Sequence, residues 1–263
     1  MKSNKIALVT GSTSDIGFEL CRILLAHGYE LVNIDRNKQG AIKVKEQLLT
    51  EFPKGMINNY TADLSDFQRV KITTHAIIDK YNQIDLLFLN AGVLLNEKTF
   101  NKDQIEQHLA TNSLAPYFLT LSLMPVLKQS KKAKIVVSGS GISRMVKNIE
   151  VSQLVNPTNF KPMSGAYAQS KATVKVLFSY LQEQYRDIDF SVVELPPTKT
   201  KMATSEAMPT LLKWFLFLFS SAEKSANKLY QATIVHKGIK TEKKHDEITE
   251  QLISLAGKYY HEN

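Results

Sequence analysis

The run Ile6-Ala7-Leu8-Val9-Thr10-Gly11-Ser12-Thr13-Ser14-Asp15-Ile16-Gly17 decides how the rest of the chain is read. Ile6–Val9 is short and continuously apolar, the pattern of a strand covered on both faces. The loop after it opens onto a helix-period segment, Asp15–His27. Gly11 permits a tight turn there, and Gly17 lets the helix pack closely on the strand. The free N–H groups and positive dipole at the helix start then suit a pyrophosphate. Two glycines mean little alone; a strand, a loop and a helix in that order give them weight. Gly11, Ser12, Thr13, Ser14, Asp15, Ile16 and Gly17 are therefore candidate dinucleotide-binding residues.

Outward from this run the pattern repeats. Strand-like runs fall at Glu30–Ile34, Met56–Tyr60, Ile84–Leu89, Lys134–Val137 and Phe190–Leu195, and Gly238–Thr241 is a short seventh candidate. Helix-length segments lie between them, among them Asp66–Tyr81, Lys102–Lys128 and Gly165–Tyr185. Gly28 stands just past the first helix, where a left-handed stop belongs. Apolar strands alternating with helices predict an α/β fold, a Rossmann-type doubly wound parallel sheet of six or seven strands with helices on both faces. Ligands of such a sheet bind at the carboxyl ends of its strands. With 263 residues and no linker, repeat or low-complexity tract, residues 1–263 read as a single domain.

Composition narrows the function. The single cysteine, Cys21, excludes an intrachain disulfide and a cysteine-based metal cluster, and the six histidines lack metal-ligand spacing, so no metal is expected. The net charge of +8 is concentrated in Lys128–Lys134 and Lys237–Lys244. Both tracts fall between elements and lack interleaved aromatics, so no nucleic-acid partner is expected. A positive field does help attract a dinucleotide. No long apolar leader precedes the first strand, and the expected location is cytoplasmic.

The second strand-like run is followed by Asp35, about 18 residues past Gly17. An acidic side chain there can accept hydrogen bonds from the adenosine ribose and repel a 2′-phosphate, which favours NAD. Arg36, next in line, can stack on adenine or hold a phosphate, so NADP is also admitted.

With these features in place, residues 5–200 resemble the short-chain dehydrogenase/reductase family. Thr10–Gly17 is similar to its T-G-x-x-x-[GA]-x-G loop, Asp63-Leu64 to its adenine-contacting Asp, and Asn90-Ala91-Gly92 to its N-A-G motif. Asn112, Ser140, Tyr167 and Lys171 follow the order of its catalytic set. The resemblance implies an NAD(P)-dependent oxidoreductase that interconverts a small-molecule carbonyl and an alcohol by hydride transfer. It assigns Tyr167 as acid/base, Lys171 as its electrostatic partner and ribose ligand, Ser140 as donor to the substrate oxygen, and Asn112 as holder of a water. The residues themselves agree in part: Tyr167 and Lys171 are spaced i,i+4 and share a helix face. A nearby ammonium, with an oxidised nicotinamide, would lower the phenol pKa from about 10. The resemblance also implies a homodimer or homotetramer, pairing through the apolar-rich helices Lys102–Lys128 and Gly165–Tyr185.

Four departures stand out. Asp15 replaces the middle glycine of the phosphate loop, and its carboxylate either faces the pyrophosphate or turns back to cap the helix. Ser140 lies 27 residues before Tyr167, so Gly141–Met163 must bulge, as in the retinol-dehydrogenase-like branch. The loop after the sixth strand reads Leu195-Pro196-Pro197-Thr198-Lys199-Thr200, an altered register in which Thr200 is the residue to reach the nicotinamide carboxamide or a phosphate. The family's glycine-rich last strand is missing.

Residues 196–221 form the expected substrate loop, and Met208–Phe219 within it is almost wholly apolar. That is too short to span a bilayer, which takes about 20 residues. A lid over a lipophilic substrate, a peripheral membrane contact through 209–219 and buried packing all remain open. Two other functions stay in view: a non-catalytic dinucleotide-binding regulator and a membrane-surface scaffold.

Overall fold

The computed structural model describes residues 5–208, 214, 216–235, 238–239 and 247–262. Six parallel strands make one sheet: β1 (Ile6–Thr10), β2 (Glu30–Asp35), β3 (Ile57–Thr61), β4 (Leu86–Leu89), β5 (Lys134–Ser140) and β6 (Asp189–Leu195). Their order is β3-β2-β1-β4-β5-β6, the doubly wound arrangement expected from the strand pattern. The order reverses between β1 and β4, where Ala7 pairs with Leu86 and Val9 with Phe88. A crevice opens there because the connections from these two strands leave in opposite directions.

The helices sort onto two faces. One carries α1 (Asp15–Ala26), α2 (Lys38–Glu51) and α8 (Ala222–Gln231); the other carries α3 (Phe67–Lys80), the single turn α4 (Gln107–Leu109), α5 (Ala115–Leu127), the short α6 (Val151–Val155), α7 (Ala168–Gln184) and α9 (Glu247–Glu262). Side-chain caps start many of them. Ser14, Asn37, Asp66 and Ser221 accept from the backbone N–H three residues on, satisfying donors the helix cannot. Gly28 has φ +76°, as its place after α1 requires.

Local chemistry moves several boundaries. The helix expected over Lys102–Lys128 begins only at Gln107, because Asn101 Oδ1 accepts from the amides of Asp103 and Ile105 and folds 101–105 into a turn. A π-helical turn, Ala110–Leu114, then leads into α5. A second one, Pro162–Tyr167, replaces the first turn of the helix expected from Gly165. The Gly141–Met163 bulge is packed rather than free. Leu154 is buried, Val155 O accepts from Glu106 N at 2.8 Å, and Arg144 pairs with Glu194 at 2.5 Å. Residues 238–239 form no strand, and 240–241 of the seventh candidate lie outside the described residues.

The helix α9 changes the account of the apolar surplus on α5 and α7. Its Leu252 and Ala256 are buried in the same core, with Ile248, Leu255, Tyr259 and Tyr260 packed against it. The Tyr260 ring lies 5.4 Å from that of Phe118. Part of the apolar area read in the sequence as a pairing surface is thus packed by α9.

Candidate active site

The carboxyl ends of β1, β2, β4, β5 and β6 surround one cavity of about 540 Å³, running from Arg36 and Asp63 to Ser140, Met208 and Phe219. The loop after β1 forms its floor. Gly11 has φ +73°, and a Cβ on it would lie 3.1 Å from Ala91 Cα; one on Gly17 would meet Gly11 O at 2.0 Å. Only glycine fits either place. Asn90 locks this loop to β4: its Nδ2 donates to Thr10 O, Gly11 O and the Ser14 hydroxyl, each at 3.2 Å. Thr10 Oγ1 accepts from the amides of Asn90 and Ala91 at 3.0 Å, a role that motif matching did not single out.

Not every residue of the loop faces the cavity. Thr13, Ser14, Asp15 and Ile16 line it, whereas Ser12 is fully buried beneath it and Gly17 serves packing. Ser14, not Asp15, caps α1, accepting from Gly17 N at 3.1 Å. The Asp15 carboxylate takes neither course expected of it: Oδ2 accepts from Lys201 N at 2.8 Å, tying the phosphate loop to the segment after β6.

Asp35 departs furthest from expectation. It is 2% exposed, and its carboxylate accepts from Ser12 Oγ (2.6 Å), Thr13 N (3.0 Å) and Thr13 Oγ1 (3.1 Å). Both oxygens are engaged in holding the loop. Burial pushes this carboxyl above its ordinary value, while the hydrogen bonds oppose that. Asp35 lines the cavity as expected, but its carboxylate oxygens already accept from the loop. Arg36 is exposed at the cavity edge. Asp63 and Leu64 line the wall beside it, with Asp63 Oδ1 held by the amide and hydroxyl of Ser65 at 2.9 and 2.8 Å.

At the other end Ser140, Tyr167 and Lys171 share one wall. Desolvation raises the Tyr167 phenol above its ordinary pKa, and the neighbouring Ser140 hydroxyl opposes that rise without reversing it. The lowering expected from Lys171 is not the dominant effect in the free protein. Lys171 is 5% exposed, its Nζ donates to Ser138 O at 2.9 Å, and burial brings its pKa down to about 8. Gly92 keeps the space before this ammonium open: a Cβ there would come 3.1 Å from Asn112 Oδ1 and 3.5 Å from Lys171 Nζ.

Asn112 lies behind the wall, 1% exposed. Its Oδ1 accepts from Val93 N at 2.8 Å, and its Nδ2 donates to Val93 O and Ser170 Oγ, each at 3.0 Å. These bonds brace the loop after β4 against α7. A second brace was not legible in the sequence. His108 Nδ1 bonds Glu106 Oε1 at 2.6 Å, its Nε2 accepts from Leu95 N at 2.9 Å, and its ring stands edge-on to Tyr167. Thr200 lines the cavity, and beyond it Met202, Met208 and Phe219 join Leu94, Ile142 and Met163 in an apolar wall.

The family model described as short chain dehydrogenase matches residues 5–209, most of the chain and all six strands of the sheet. The chain belongs to the short-chain dehydrogenase family. Among relatives of this family, "Short-chain dehydrogenase TIC 32 A, chloroplastic" of Brassica napus is 31% identical over 143 residues, covering 54% of this chain and 43% of its own length. Human polyprenol dehydrogenase is 26% identical over 233 residues, covering 82% of this chain and 69% of that protein. The chain thus spans less than half the length of the plant relative. A Burkholderia cenocepacia short-chain dehydrogenase, solved in complex with NADP, matches the fold with a TM-score of 0.69 at 20% identity, over 87% of this chain and 90% of that one. The glycine cradle, the buried ammonium and the Ser140–Tyr167 pair therefore occupy a short-chain dehydrogenase sheet at its carboxyl edge. Among the described residues, no cluster of potential metal ligands accompanies them.

Proposed function

We propose that the chain is an NADP(H)-dependent oxidoreductase acting on a lipophilic carbonyl or alcohol, with Tyr167 as its acid/base. One observation carries the reading: Ser140, Tyr167 and Lys171 line the same cavity as the Gly11–Ile16 phosphate cradle and Arg36. The residues fit a dinucleotide in shape and charge. Glycines 11 and 92 line the cavity and keep it free of a Cβ, and the buried ammonium of Lys171, held by Ser138 O, has two further protons to donate. A ribose hydroxyl is a suitable second acceptor. The dinucleotide, when bound, supplies the hydride. Arg36, exposed at the cavity edge, favours a 2′-phosphate, while the Asp35 carboxylate is engaged with the phosphate loop.

In carbonyl reduction the Ser140 hydroxyl donates to the substrate oxygen and holds it beside Tyr167. The Tyr167 phenol, kept protonated by its environment, gives its proton to the oxygen as negative charge develops there. Lys171 stabilises the phenolate left behind. The apolar wall of Leu94, Ile142, Met163, Met202, Met208 and Phe219 suits an apolar substrate body. A lipid substrate in the name of the human relative agrees with that wall. The deciding experiment titrates NADPH and NADH by fluorescence, then screens aldehydes and ketones of rising chain length. Binding without turnover on any of them would favour the regulator.

A pH profile follows from the two shifted groups. Carbonyl reduction requires protonated Tyr167, whose pKa is raised, so reductive kcat/KM should be level through neutral pH. It should decline above about pH 8, where Lys171 loses its charge in the free protein. Oxidation of the alcohol needs the phenolate and should rise over the same interval. Reductive kcat/KM that climbs from pH 7 to 9 would exclude this assignment.

Pairing through α5 and α7 into a homodimer or homotetramer is the proposed assembly; light scattering at micromolar concentration tests it, and a mass near the 29.7 kDa of one chain would count against it. The cytoplasm is the proposed location, and fractionation of tagged full-length protein tests it.

A further inference from the structure

The segment after β6 has two sides. Met208 and Phe219 line the cavity, whereas Trp214 is 78% exposed, Phe217 70% and Leu218 69%. Pro209–Lys213 and Phe215 lie outside the described residues. For the described ones, buried packing is not the arrangement found. Large apolar side chains left in water cost about 25 cal/mol per Å² of area, and three such neighbours beside a cavity mouth mark a contact surface. Met145, on the turn after β5 at the same carboxyl edge of the sheet, is also 70% exposed.

The charge around this surface names its partner. Lys199 is exposed and fixed beside the segment, its backbone N donating to Ser220 O at 2.9 Å. Lys201 is exposed two residues on, and Lys224 is exposed on the first turn of α8. From 199 to 224 the sequence holds four lysines against two glutamates, Glu206 and Glu223, and Glu223 lies 3.7 Å from Arg22. An aromatic and aliphatic tip bordered by lysines matches the apolar interior and anionic headgroups of a lipid surface. No described helix is long and apolar enough to cross a membrane, so the contact is peripheral.

We propose that the surface formed by Trp214, Phe217 and Leu218 docks the protein on anionic membranes, with the cavity mouth facing the lipid from which a lipophilic substrate enters. The purpose rests on the lipophilic-substrate reading above, but the docking itself can be tested without substrate or cofactor.

Trp214 is the single tryptophan of the chain, so intrinsic emission reports this site alone. Vesicles of phosphatidylcholine with about 30% phosphatidylserine should shift its emission to the blue, and brominated lipid should quench it. Pure phosphatidylcholine should bind at least about tenfold more weakly, since each lysine near an anionic surface contributes about 1 kcal/mol. The double variant Phe217→Ser/Leu218→Ser should lose at least about tenfold in vesicle affinity while keeping turnover of a small soluble carbonyl. Lys199→Glu should reduce the preference for phosphatidylserine by at least about tenfold, since it reverses one charge worth about 1 kcal/mol. Unchanged Trp214 emission with both vesicle types would overturn the proposal. So would a concentration-dependent blue shift without lipid and with doubled mass, which would give the surface to a second copy of the chain. Vesicle binding with no turnover of any lipophilic carbonyl would leave docking standing and remove the substrate reading.

Discussion

Tyr167→Phe is expected to lower kcat for carbonyl reduction by about 10²–10⁴-fold, the usual contribution of a positioned general acid. The substitution removes one oxygen and keeps the ring that stands against His108, so packing of the wall should survive. Dissociation constants for the dinucleotide should move less than about twofold, because the cradle of Gly11–Ile16 and the Lys171 ammonium are untouched. The Ser140 hydroxyl still faces the cavity, so residual activity above the uncatalysed rate is consistent with the mechanism. Single-turnover kinetics with saturating NADPH separate this from slow release. A variant that turns over at the parent rate would end the assignment of Tyr167 as acid/base.

Arg36→Ala is expected to reduce the preference for NADPH over NADH by roughly 10- to 100-fold, since a hydrogen bond to a charged group contributes about 1.5–3 kcal/mol. The effect should appear in the NADPH dissociation constant, with NADH little changed. Asp35→Ala should behave otherwise. That carboxylate holds Ser12 and Thr13, not an open ribose site, and its loss leaves three donors of the phosphate loop without their acceptor. Both dinucleotides should then weaken together, and Tm should fall. A selective gain of NADH or NADPH binding in Asp35→Ala would mean that the carboxylate turns outward when the cofactor binds. Equal loss of both in Arg36→Ala would put Arg36 in the structure of the site and not in selection.

The strand periods, the Gly11 and Gly17 positions and the order Ser140, Tyr167, Lys171 were legible because each depends on local geometry. A strand buried on both faces must be continuously apolar, and a left-handed turn or a close helix approach admits only glycine. The i,i+4 relation of Tyr167 and Lys171 likewise needs no tertiary information. Helix starts were read less well. The Asn101 turn arises from side-chain hydrogen bonds that periodicity does not record, and the π-helical turns at 110–114 and 162–167 leave no mark in it either.

By itself, then, the sequence determined the doubly wound sheet, the edge at which ligands gather and the chemical types gathered there. Only the tertiary structure decided which way the decisive side chains turn. Asp35 faces the phosphate loop because Ser12 and Thr13 offer three donors in a site closed to water. Asp15 reaches Lys201 across 186 residues of chain. Glu106 and His108 form a buried pair behind Tyr167, and α9 covers part of a face that local pattern leaves open. Each of these depends on a partner distant in sequence or on a choice among rotamers. The energy that settles such choices is that of satisfying buried polar groups and covering apolar area, quantities defined only once the fold is closed.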